Sequence, residues 1–254
     1  MHLQYSAIAT AKAALNAIIR IDGQPVGSHP DMKQFMAGIA QMMPRMPRYS
    51  QIWDLNQVLE KLKLWSPAKE LSLLKLSMKL LMLLLLVSGH RTQSMHQLHL
   101  DGMVLSSKSC VFNITSNLKH SRGNAPATAL KFQHYQSDPR VCPITYLKAY
   151  LKRTQNLRTS RFLFITSVPP HRHVTSSTLA RWSKTVLNAS GIDTTIYGAH
   201  STRAASASAA AMRGVPIDSI LKQGCWKTAN MFNTWYNRPI TKPVVSYQQA
   251  ILNG

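Results

Sequence analysis

The run 80-LLMLLLLV-87 is eight apolar residues without a break, and it limits the possible folds more than any other stretch of the chain. It is too short to span a bilayer, which takes about 20 residues. A helix that is apolar on every side must be covered on every side, so the run reads as a buried helix with the rest of the chain packed around it. Lys75 and Lys79 stand just before it. Ser66-Pro67 is expected to open this helix, because Ser suits a cap and Pro the first turn. The helix is expected to run to about Val87, ahead of Gly89.

The flanking pattern is mostly helical. Residues 5–20 and 31–42 have helical apolar spacing, separated by Gly23, Pro25, Gly27 and Pro30. A Pro- and Arg-rich linker, 43-MPRMPRYSQ-51, leads to a further helix over 53–65. Strand-like stretches follow at 98–105, 110–115 and 127–133, with turn residues between them. Helices are expected at 144–154, at 176–189, from the HSTR segment to Gly214, at about 216–223, and in a last helix holding Tyr236. RFLFIT at 161–166 reads as a short strand or extended piece. The fold class is therefore mainly α with a small antiparallel β-sheet. A first domain over residues 1–48 and a second over 49–254 are the expected divisions.

Charge narrows the partners. The chain carries 30 Lys+Arg against 9 Asp+Glu, a formal charge of +21. A generically basic protein, or one attracted to anionic membrane, would fit that number. A polyphosphate partner explains it better, since neutralising several phosphates releases counterions and drives binding. Cys110, Cys142 and Cys225 are odd in number and widely spaced, which suits free thiols in a reducing compartment and neither a disulfide framework nor a CxxC metal site. The N-terminal stretch has no charged segment leading into a long apolar core, so it does not read as a signal peptide.

Chemistry concentrates in 197-YGAHSTRAASASAAAMRGVPIDSILKQGCWKTANMFNTWYNRPI-240. Arg203 can grip phosphate oxygens with two N–H groups, while His200 and Trp226 carry ring N–H donors. Tyr236, ten positions after Trp226, is a side chain able to act as a covalent nucleophile. No metal cluster or Walker loop accompanies them, so phosphate charge would fall to the chain's own cations. Each residue also has an ordinary reading. Arg91 could be a capping or surface charge, His200 a helix cap or solvated ring, Trp226 core, and Tyr236 a half-buried aromatic.

Taken together, HSTR, GCW and WYNRPI resemble the catalytic boxes of the tyrosine recombinases, the phage-integrase superfamily, and most of all those carried by eukaryotic DIRS-type retrotransposons. The segment 88-SGHRTQSMHQLHLD-101 resembles the family's first arginine box, with Arg91 as its arginine. The segment 117-NLKHSRGNAPATALKF-132 resembles the hairpin that carries the family's lysine, here Lys119, with Lys108 as the runner-up. The resemblance covers roughly residues 60 to 245. It implies a tyrosine recombinase catalytic fold over 49–254, preceded by part of a helical core-binding domain over 1–48 that begins partway through.

The resemblance further implies a site-specific recombinase that cleaves and rejoins double-stranded DNA through a 3′-phosphotyrosyl intermediate. Arg91 and Arg203 would hold the scissile phosphate, His200 would transfer a proton or hydrogen-bond the phosphate, and Trp226 would donate its indole N–H. Lys119 would protonate the leaving 5′ oxygen and Tyr236 would attack. Neither metal, ATP nor any small-molecule cofactor is implied, nor a membrane partner. A homo-tetramer on DNA and a nuclear location follow from the same likeness, with residues 237–254 docking on a neighbouring subunit. The alternatives are a type IB topoisomerase and a transposon remnant that binds DNA without cutting it. One departure stands out: Ser94 occupies a position that is often acidic in the family. The extra residue of GCW, between glycine and ring donor, is a second.

Overall fold

The computed structural model describes residues 3–44, 46–114 and 128–240. The chain forms two compact units, residues 1–48 and 49–254. In the first unit, α1 (Tyr5–Ile18) leads through a two-residue ladder, β1 (Arg20–Ile21) and β2 (Gln24–Pro25), to α2 (Pro30–Met42). Asp22 and Gly23 turn the ladder with φ of 48° and 76°, the left-handed pair that a tight hairpin requires. Pro30 opens α2 and Asp31 sits in its first turn, both favourable where N–H groups lack partners. Val26 and Met36 are the buried side chains here, and α1 buries none.

The second unit begins with α3 (Leu55–Leu64), capped by Asp54, whose carboxylate accepts the Asn56 N–H at 2.9 Å. The expected start of the next helix at Ser66-Pro67 is not what forms. A short 3₁₀ turn covers Ala68–Glu70, and α4 spans Leu73–Ser88 with Ser72 as its cap. The Ser72 hydroxyl accepts the Lys75 N–H at 3.2 Å. Ser66 is otherwise engaged, its hydroxyl 2.7 Å from the Tyr146 hydroxyl and 3.1 Å from Lys79 Nζ. The cap thus goes to the serine whose hydroxyl is left over for the backbone.

α4 is the buried helix that its apolar run demands. Leu76, Leu80, Leu81, Leu84 and Leu85 have no exposure at all. Each such leucine contributes roughly 1.5–3 kcal/mol relative to leaving it in water. α6 (Pro143–Thr154), α7 (Ser176–Ala189) and α8 (Ser201–Met212) pack around it. Among the described residues no helix is long and apolar enough to cross a membrane.

α5 (Thr92–His96) follows α4, and then three strands, β3 (Met103–Leu105), β4 (Ser109–Ile114) and β5 (Thr128–Gln133), pair antiparallel in that order. The strand expected from residue 98 starts only at Met103, because Leu100–Gly102 winds into a 3₁₀ turn. Gly102 lies so close to β4 that an added Cβ would sit 2.5 Å from the Asn113 carbonyl. The 161–166 stretch is extended and makes single bridges, Phe162 with His99 and Ile165 with His173. α9 (Ile217–Gly224) and α10 (Ala229–Trp235) are the last helices among the described residues. Cys110, Cys142 and Cys225 are free thiols, the first two buried.

Candidate active site

Three turns bring the functional side chains together. α4 ends at Gly89, whose φ of 64° reverses the chain in a left-handed cap. Arg91, two residues later, is half-buried at the N-terminal cap of α5. α8 starts beside this turn, with its first residue, Ser201, accepting the Trp53 indole N–H at 2.8 Å. Arg203 then falls in the first turn of α8 and is 1% exposed. α9 ends at Cys225, again left-handed with φ of 54°, which delivers Trp226 onto the same spot.

Arg203 is clasped by two backbone carbonyls. Its Nη1 donates to Gly89 O and its Nη2 to Gly224 O, both at 2.6 Å. The Trp226 ring covers the guanidinium face, with Cζ 3.8 Å from the centroid, within the range of a cation–π contact. Nε is buried with no partner among the described residues. Burial, then the neighbouring Arg91 cation, pulls the Arg203 pKa down to about 10. The group still carries its charge at neutral pH. None of the ion pairs among the described residues involves either arginine.

Tyr236 lies at the C-terminal cap of α10 rather than inside the last helix, as the sequence suggests. α10 is kept short by the approach of its end to α8. The buried Ser208 hydroxyl donates to Tyr236 O at 2.9 Å and accepts the Arg238 N–H at 2.9 Å. The helix that holds Arg203 therefore also fixes the backbone of Tyr236. The half-buried phenol points at the cations: Arg91 Nη2 donates to its oxygen at 3.4 Å, a long bond. Arg203 Cζ lies 5.1 Å from the Tyr236 ring, and the Trp226 and His200 rings lie 5.1 and 6.1 Å away.

Five sequence-chosen residues thus converge: Arg91, His200, Arg203, Trp226 and Tyr236. His200 is exposed at the cap position of α8 and makes no side-chain cap bond there. The Trp226 indole N–H is buried without a partner among the described residues, and the ring presents its face to Arg203. Lys119 lies outside the described residues, as do residues 241–254 of the expected docking segment. Lys108 is exposed on the turn between β3 and β4. Ser94, in the often acidic position, is buried with its hydroxyl 3.2 Å from His90 Nδ1.

Sequence reasoning missed the parts of the site that are backbone. The Gly89 and Gly224 carbonyls leave no side-chain signature. A Cβ at Gly224 would sit 1.8 Å from the Trp226 ring, so glycine is required there. The GCW spelling holds that signal, because the inserted Cys225 is the residue that takes the left-handed turn. Ser208 is hidden in an Ala/Ser stretch that reads as packing alone.

Solved structures share this architecture. A post-cleavage complex of the XerH site-specific recombinase bound to palindromic difH substrate matches with a TM-score of 0.61 and 13% identity, over 90% of this chain and 63% of that one. The Tn1549 transposon integrase in complex with transposon right end DNA matches at 0.59 and 13%, over 99% and 79%. A lambda integrase dimer bound to a COC′ core site matches at 0.53 and 12%, over 95% and 63%. This chain therefore spans less than two thirds of two of those proteins, and at such identities the likeness shows the fold alone. No curated protein sequence matches the chain. The Phage integrase family model matches residues 51–242. That span is most of the chain and includes every residue of the arginine, tryptophan and tyrosine cluster, so the chain belongs to the phage integrase family, the tyrosine recombinases, which are DNA strand-transferring enzymes.

Proposed function

We propose that this chain cleaves and rejoins double-stranded DNA at specific sites, with Tyr236 as the nucleophile. The observation that carries the proposal is the Tyr236 hydroxyl 3.4 Å from Arg91 Nη2, on the side where Arg203 is held. The phenol oxygen attacks a DNA phosphorus in line, the P–O5′ bond breaks, and a 3′-phosphotyrosyl link and a free 5′-OH result. Attack adds charge to the phosphorus oxygens, and the two guanidiniums are already placed to offset it. Their side-chain charge fills the role that a metal ion takes elsewhere. His200, near the phenol ring, moves a proton or binds a phosphate oxygen, and Lys119 protonates the leaving oxygen. Religation reverses these steps, so the linkage energy is kept and ATP is not consumed.

The reading extends to a homo-tetramer on DNA in the nucleus and to a DIRS-type element as the source. It also assigns residues 1–48 as part of a core-binding domain. The tetramer, the location and the source rest on the resemblance of the box residues quoted above, and the domain assignment on the helical pattern of residues 1–48. The DNA-bound recombinases of the same fold support the DNA partner. The test uses a pool of nicked duplexes of randomised sequence, with EDTA present. Wild type is expected to form an adduct that survives SDS, and Tyr236→Phe to form none. Equal adduct in both proteins would end the assignment of the nucleophile.

A further inference from the structure

His90 is 2% exposed, and its two ring nitrogens lie against different elements. Nε2 lies 3.0 Å from the Gln223 carbonyl oxygen, at the end of α9. Nδ1 lies 3.2 Å from the Ser94 hydroxyl, on α5. A carbonyl oxygen only accepts, so the hydrogen of a neutral ring must be on Nε2. Nδ1 is then the acceptor for the Ser94 O–H. Cys225 Sγ is 4.0 Å from Nε2, too far to compete strongly with the carbonyl.

These contacts close a ring of bonds around Arg203. Gly89 and His90 are consecutive, and so are Gln223 and Gly224. Gly89 O and Gly224 O take the two Nη groups of Arg203, while His90 bonds Gln223 O directly. The same turn carries Arg91 one residue after His90 and Trp226 two residues after Gly224. Besides the His90 bond, the described residues join the two turns through the guanidinium and through a long bond from Gln223 Nε2 to Val87 O at 3.4 Å. Without the His90 bond, the cation would carry more of its own cradle.

We infer that His90, oriented by Ser94, is a positioning residue that locks the Gly89 and Gly224 turns around Arg203. This rests on the recombinase reading above. Outer groups of this kind act by holding others in place, and a displacement of 1 Å at reacting groups can cost about 10²-fold in rate.

Nitrogen-15 NMR of the wild-type protein without DNA tests the contact independently of activity. The His90 ring is expected as the Nε2–H tautomer, and an Nδ1–H tautomer would overturn the inference. The kinetic arm measures single-turnover adduct formation on the same randomised nicked pool, beside DNA affinity. His90→Phe keeps a ring but loses both nitrogens, and is expected to slow the adduct step by about 10²-fold with affinity changed by less than about threefold. His90→Gln can still donate to Gln223 O and is expected to recover most of the rate. A His90→Phe protein as fast as wild type, or a folded His90→Gln protein no faster than His90→Phe, would overturn it. Should His90→Phe not fold, Ser94→Ala takes its place, with a smaller loss expected and an unchanged rate counting against the inference. A wild-type protein that forms no adduct would sink the recombinase reading, and the tautomer would still decide the contact.

Discussion

Arg203 and Lys79 are both fully buried, and both are held by backbone carbonyls, yet one cradle is finished and the other is open. Lys79 Nζ donates to Leu62 O at 2.7 Å, to Trp65 O at 2.5 Å and to Ser66 Oγ at 3.1 Å. It also sits 3.7 Å over the Tyr146 ring. Those three acceptors use its three hydrogens. At the C-terminal end of α3 these bonds add to the Trp65 N–H on Leu62 O at 3.1 Å and the Tyr146 hydroxyl on Trp65 O at 3.4 Å. Arg203 has five N–H groups but uses only two on carbonyls, and its Nε has no partner among the described residues. A buried donor left unpaired is costly, on the order of 1–3 kcal/mol. The finished cradle commits its cation to the fold; the other keeps donor capacity beside Tyr236, which suits the phosphate of the proposed reaction.

The largest expected effect comes from closing the open cradle incorrectly. Arg203→Lys retains a charge but loses the planar fork that reaches two carbonyls and a phosphate together. Adduct formation is expected to fall by about 10²–10³ or more, as when one transition-state donor is removed. A loss of less than about tenfold would show that the charge alone matters and that the carbonyl clasp is incidental. Single-turnover rates with the nicked duplex pool make the measurement.

Gly224→Ala acts on the same cradle without touching a charged group. The new methyl overlaps the Trp226 ring, so the ring or the turn must move. A cost of about 1–3 kcal/mol in stability is expected from such overpacking. The adduct rate is expected to drop by about 10²-fold, because Gly224 O moves with the turn. Thermal unfolding and adduct rate measured on one preparation separate the two effects. A stable, fully active variant would show that Trp226 can leave Arg203 without consequence.

How much of this was legible in the sequence depends on what each signal encodes. The buried helix was, because burial on all sides needs an apolar residue at nearly every position from 80 to 87. Its start was not: Ser66-Pro67 and Ser72 both look like caps, and only the pairing of Ser66 with Tyr146 and Lys79 decides between them. The five converging side chains were chosen from chemistry and order in the chain. Their cradle was not, since Gly89 O and Gly224 O are main-chain atoms that any residue supplies. Lys79 is a different case: the sequence places it only at the head of the apolar run, and its role as a cap for another helix is set by distance in space.

Lys79→Met tests the finished cradle. The thioether fills most of the space but takes one donor from each of the Leu62 and Trp65 carbonyls, which keep the Trp65 N–H and the Tyr146 hydroxyl. A destabilisation of about 1–2 kcal/mol is expected, with the adduct rate within about twofold of wild type. A larger loss of rate than of stability would mean that Lys79 communicates with the site, and the contrast between the two cations would fail.

A pH dependence of similar size follows from the same lysine. Burial, opposed by Asp138, takes the Lys79 pKa from 10.5 down to about 7. Between those values the unfolded chain binds a proton that the folded chain releases, so stability rises with pH across that window. Below pH 7 both states are protonated and this group contributes no slope. The full shift would be worth roughly 5 kcal/mol. The carbonyl bonds and the Tyr146 face favour the ammonium, so a gain on the order of 1–2 kcal/mol from pH 7 to pH 9.5 is expected instead. Denaturant titrations of wild type and Lys79→Met at several pH values isolate it, because other titrating groups such as the buried Cys110 thiol are common to both proteins. Parallel curves would mean that the lysine keeps its charge in the fold throughout. Arg203, pulled down only to about 10, adds nothing near pH 7. The site's charge then persists where the structural cation gives its own away, which is what holding an anion at neutral pH requires.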